Sequence, residues 1–209
     1  MCWNPEVSLF TFLFSTCLAS YAYSKKKISF IILLFFYSFS LIQLVEFFLW
    51  LNLDKPKFTS KTCKLGLLYR LSAYKEPNIN YLFSCIGFFI ILSQPFISLL
   101  RLKDEKLKKN MILLYLIFCI YGIYFYPTEM KTIVGQNKHL EWKWLKYPLH
   151  IILIWFLFFT FYDIYENKIL SFIIIFIPFL ISLITYKMTN TWGSMWCWFS
   201  NIYSLLLLL

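Results

Sequence analysis

Gln43, Glu46 and Trp50 are spaced i, i+3 and i+7, which places an amide, a carboxyl and an indole on one face of a helix. The stretch that holds them, SFIILLFFYSFSLIQLVEFFLWLNL, is otherwise almost wholly apolar. Glu46 lies about two turns from the end of that helix, too deep for a short side chain to reach water easily. An ionisable group in hydrocarbon is costly, so this face must turn towards protein or water. Two readings stay open. In one, Glu46 is a neutral or hydrogen-bonded carboxyl that fixes helix packing. In the other, it is a functional acid, a ligand contact or a proton relay.

Three further groups bear on that choice. Ser194, Cys197 and Asn201, three and four residues apart, form a small polar stripe on the last apolar segment. Such a stripe supports close helix contact, or lines a pocket together with Glu46. Gln94-Pro95 interrupts the third apolar segment and predicts a kink whose freed carbonyls find partners inside the bundle. Cys2, Glu46, His139, His150 and Cys197 could in principle hold a metal ion, yet no pair among them has HExxH or CxxC spacing. We therefore expect no metal and no other cofactor.

Several chemistries are excluded by what is missing from the chain. No lysine stands in the middle of the last segment, as a retinal Schiff base would need. There is no GxSxG or SxxK nucleophile motif and no glycine-rich phosphate loop, the five glycines being isolated. Paired aspartates and inverted repeats are absent as well.

The elements that must position these residues are apolar helices. At 60% hydrophobic and 22% aromatic, 209 residues are too apolar for a soluble domain. Seven segments read as membrane-spanning, near 7–23, 29–53, 81–100, 111–126, 148–165, 169–186 and 191–209, and they contain only two charged residues, Glu46 and Asp163. A bilayer core needs about 20 apolar residues per helix. Asn4, Pro5 and Glu6 mark the first helix start by capping, fixed φ and dipole complementarity, and the absence of a basic leader suggests an uncleaved signal-anchor. The seventh segment is the least secure, because it barely reaches bilayer length.

The net charge of +10 comes from basic residues gathered in the connections, which fits contact with anionic headgroups. No continuous basic surface suited to nucleic acid is apparent. Residues 54–80 read as an amphipathic interfacial loop, and 127–147 as a second long loop in which Trp142 and Trp144 act as interfacial anchors. Trp192, Trp196 and Trp198 read likewise as belt residues. Basic residues divide nearly equally between the two sets of loops, so orientation rests on the compact clusters 25–27 and 101–109, which argue for an external amino terminus. An odd span count puts Glu46, the 127–147 loop, both histidines and the start of the last segment on one side of the membrane.

MCWN with a following VSL, QLVEFFLWLNL, LSQPFISLL, GQNKHLEWKWL and TWGSMWCW followed by SN resemble an uncharacterised family of seven-helix membrane proteins from giant DNA viruses. Segment 54–77 is longer than in that pattern. MCWN and the second helix are more distantly similar to bacterial seven-helix proteins beginning MCFS. The resemblance implies a multi-pass protein of a virion or host membrane and brings no activity with it.

The expectation is thus an all-α integral membrane protein, a single bundle of about seven transmembrane helices over 1–209. A polar pocket opening on the amino-terminal side would be built from Gln43, Glu46, Trp50, Gln94, Ser194, Cys197 and Asn201. Its partners would be the bilayer, anionic headgroups and a small-molecule ligand, and its role sensing or membrane organisation without catalysis. The alternatives are a metal-assisted intramembrane hydrolase using Glu46 with nearby Cys and His, and a small-solute or proton carrier with Glu46 as relay.

Overall fold

A computed structural model describes residues 4–53, 77–159, 168–202 and 204–205. Cys2, Asp163 and residues 54–76 of the expected interfacial loop lie outside the described residues, as do 160–165 of the fifth expected span and 206–209 of the seventh.

Helix α1 spans Pro5–Ser24. Asn4 Oδ1 accepts a hydrogen bond from Val7 N at 2.9 Å, and Pro5 occupies the first turn, where its missing N–H costs nothing. The helix stops in a Schellman arrangement: Lys27 N bonds Ala22 O at 2.9 Å and Lys26 N bonds Tyr23 O at 2.8 Å. Lys26 takes the left-handed conformation (φ 57°) that glycine usually fills. Helix α2 follows over Phe30–Asn52, then α3 over Pro77–Leu99 and α4 over Glu105–Phe125. The third helix thus begins before the expected residue 81, so 77–80 belong to it rather than to the loop. The fourth begins before residue 111, because Asp104 Oδ1 accepts from Lys106 N and Leu107 N at 2.9 and 3.0 Å and so caps the chain there.

Helices α1 to α4 are each long and apolar enough to cross a membrane. Helix α5 runs over Leu149–Leu157, α6 over Lys168–Tyr186 and α7 over Trp192–Ile202. Eleven residues of α7 rise only about 16 Å, against a hydrocarbon core of about 30 Å. The expected seventh span is therefore a short helix within the described residues.

Helix α2 is the hub, packing against α1, α3 and α7, while α6 packs on α7. In its most apolar window 67% of α2 is buried, against 11% for α4, which stands at the edge with an apolar outer face. The α3 helix continues through Pro95. Proline leaves the Ile91 carbonyl without its usual amide, and the neighbouring Leu92 carbonyl accepts the Tyr115 hydroxyl at 2.5 Å.

The 127–147 connection departs most from expectation. It holds a two-stranded antiparallel hairpin, β1 (Thr132–Val134) with β2 (Leu140–Trp142), and a 3-10 turn at Lys143–Leu145. Trp142 and Trp144 are not interfacial anchors: they are buried and stack on each other at 4.6 Å where β2 passes into the 3-10 turn. Polar groups lock the hairpin down. Asn80 on α3 donates to Thr132 O at 2.9 Å and accepts from Thr132 N at 3.0 Å, while Thr132 Oγ1 takes the Trp144 indole N–H at 3.1 Å. Two glycines admit the rings. A Cβ on Gly87 of α3 would lie 3.2 Å from Trp144 Cζ2, and one on Gly193 of α7 would lie 3.0 Å from Trp142 Cε3. Trp192 and Trp196 are likewise core residues rather than belt residues, leaving Trp198 half-buried.

Candidate functional site

Gln43 and Glu46 lie on the inner face of α2, one turn apart and both buried. The spacing of hydroxyl, thiol and amide along α7 turns Ser194, Cys197 and Asn201 towards them. Ser194 Oγ donates directly to Glu46 Oε1, joining positions 148 residues apart. Cys197 is fully buried one turn on, within electrostatic reach of Glu46 and beside the Gln94 side chain of α3. Gln94 Nε2 donates to the Ser38 carbonyl of α2 at 3.4 Å. Asn201 sits farther along and bridges the helices differently, donating to Phe39 O at 3.4 Å and to Cys197 O at 2.7 Å. Trp50 is only half-buried and packs at the edge of the core.

The three helices thus bring together Gln43, Glu46, Gln94, Ser194 and Cys197, with Asn201 as an outlying member. The arrangement is enclosed rather than an open pocket: none of the six is more than 8% exposed. Aromatic residues close it. Trp196 on α7 meets Phe39 edge-on at 5.3 Å, and Trp155, Phe159 and Phe179 surround the same indole. Sequence reasoning placed Trp196 at the membrane edge and did not use Phe39. The signal was available, because Phe39, Gln43, Glu46 and Trp50 continue one helical stripe upstream.

Gln94 Oε1 and the Trp196 indole N–H are buried without a hydrogen-bond partner among the described residues, whereas the Gln43 amide reaches towards Glu46. Leaving such atoms unmatched costs about 1–3 kcal/mol each. The cluster therefore offers an unmatched acceptor, Gln94 Oε1, beside the Glu46–Ser194 pair, a foothold for a small polar molecule. Catalysis would ask for more, a path for water and substrate to the Ser194–Glu46 pair.

The metal-ligating alternative is not assembled. Among the described residues no three His, Cys, Asp or Glu side chains gather as a metal site. His139 packs edge-on against Tyr186 at 5.6 Å, and burial lowers its imidazole pKa below the ordinary value. His150 is exposed and meets the Tyr126 hydroxyl at 3.3 Å. Glu46 and Cys197 share the enclosed cluster, and Cys2 lies outside the described residues.

Comparison with protein-family models, with curated proteins and with solved structures returned no match.

Proposed function

We propose that this chain is a non-enzymatic, multi-pass membrane protein that senses a small polar molecule at the cluster around Glu46. The observation that carries the reading is the buried Ser194–Glu46 hydrogen bond with the unmatched Gln94 Oε1 beside it, inside an aromatic shell. A ligand with a donor would satisfy Gln94 Oε1 and could lever α7 against α2. Enclosure favours binding and response over turnover, since a hydrolase must admit water continuously. The membrane setting is supported by four helices of spanning length and composition. The resemblance to viral seven-helix proteins would place it in a virion or host membrane, with the basic loops against anionic headgroups.

A panel of short carboxylic acids, amides and alcohols, screened by thermal unfolding of detergent-purified protein, tests this. At least one should raise the melting temperature saturably. Glu46→Gln should fold normally yet lose the response, because the amide presents a donor where the carboxyl oxygen accepted. Gln94→Leu should lose it too. No shift with any compound, or equal shifts in wild type and both variants, would refute the reading.

A single buried carboxyl also suits a proton relay. That alternative predicts proton flux into liposomes which Glu46→Gln abolishes.

A further inference from the structure

An apolar cleft lies between α3, α4 and α5, partly open to the surface. Its walls include Ile91 and Leu92 of α3, Phe118 and Gly122 of α4, and Ile152 and Trp155 of α5. Helix α4 forms the outer lip, and its exposed Leu113, Ile117 and Ile120 present a face suited to lipid tails.

One end of the cleft is polar. Tyr147 lines that end, and its backbone carbonyl accepts a hydrogen bond from Lys187 Nζ at 3.3 Å. Lys146 is the adjoining residue. Burial, and then the nearby Lys146 charge, push the Lys187 ammonium pKa down. Among the described residues neither lysine forms an ion pair with a carboxylate. Tyr126 and His150, bonded to each other at 3.3 Å, stand at the same end, with the Tyr126 ring 6.5 Å from that of Tyr147. Two like charges held together at the mouth of an apolar cleft are complementary to one anion carrying a hydrocarbon tail.

We infer that the cleft holds an acyl chain of one anionic phospholipid, with its phosphate seated on Lys146 and Lys187 beside Tyr147. The inference rests on the chain lying in a bilayer and is independent of the Glu46 cluster. A tail gains little by leaving bulk lipid for an apolar cleft, because the two surroundings are equally apolar. Selection among lipids therefore falls to the phosphate and the net headgroup charge. The cleft fixes where the selected lipid sits.

Native mass spectrometry of the detergent-purified chain, titrated with dioleoyl phosphatidylglycerol or dioleoyl phosphatidylcholine, decides the matter. The wild type should retain one phosphatidylglycerol with about thirtyfold preference over phosphatidylcholine, as expected for two lysines near the headgroup. Lys146→Gln with Lys187→Gln should bring that preference to about one. Lys25→Gln with Lys26→Gln, in the turn after α1, should leave it unchanged. Gly122→Phe should lower occupancy by either lipid, and excess glycerol phosphate, which lacks a tail, should displace nothing. Glu46→Gln should bind lipid as the wild type does, which separates this site from the proposed sensing cluster. Equal binding of the two lipids by the wild type would overturn the inference. So would a preference that survives the Lys146/Lys187 double substitution, or displacement by glycerol phosphate. The lysine variants keep a polar side chain at exposed Lys146 and half-buried Lys187, so they report even if Gly122→Phe does not fold.

Discussion

Gly193 on α7 lies flat against the Trp142 ring of the hairpin, so closely that an added Cβ would be 3.0 Å from Cε3 and would run into Leu145 Cδ2. The Trp142 ring is not free to retreat. Trp142 is stacked on Trp144, which is itself wedged against Gly87. A helix that must also present Ser194 to Glu46 thus takes its position from the glycine one residue earlier.

Gly193→Ala should therefore destabilise the protein, although alanine is the better helix former by about 1 kcal/mol. Overpacking at such a contact costs about 1–3 kcal/mol, which outweighs that gain. A lowered melting temperature in detergent is expected. An unchanged or raised one would mean that the hairpin and α7 are not in contact.

Thr132→Val is nearly isosteric but removes the oxygen that takes the Trp144 indole N–H and pairs with Ser84 Oγ at 2.9 Å. Both partners are left buried without that oxygen, at a cost of about 1–3 kcal/mol. Thr132→Ser, which keeps the hydroxyl, should lose less. Chemical unfolding followed by tryptophan fluorescence would rank the three proteins. Equal stability of the valine and serine variants would count against the locked hairpin.

His139 makes the folded state sensitive to acid. Burial lowers its pKa in the native protein below the ordinary 6.5. Between those two values the unfolded chain binds more protons than the folded one, so stability falls as the pH drops through the window. A His139→Gln variant should lose less melting temperature than the wild type between about pH 8 and about pH 5. Parallel losses would show that His139 titrates alike in both states.

How much of this was written in the sequence depends on how many readings each residue type allowed. Glu46 stood out because it is the only acid in its apolar segment, and the Ser194–Cys197–Asn201 stripe because its spacing is helical. Both are found facing each other. The tryptophans were harder. Trp142, Trp144, Trp192 and Trp196 sit where belt residues would, and only tertiary packing against Gly87, Gly193 and Phe39 shows them to be core. The hairpin escaped notice because three-residue strands carry almost no periodic signal, and its anchor, Asn80, looked like loop. The enclosure of the cluster was equally hidden. Spacing tells which residues share a face but not how closely the opposing helix approaches.

The central claim is that Ser194 holds Glu46 within an enclosed cluster between α2, α3 and α7, and a double-mutant cycle tests it most directly. Glu46→Leu and Ser194→Ala, made singly and together, should show a coupling energy of about 1–3 kcal/mol in unfolding experiments, because each single change strips the other residue of its partner. Additive losses, with the double variant as unstable as the sum of the two singles, would contradict it.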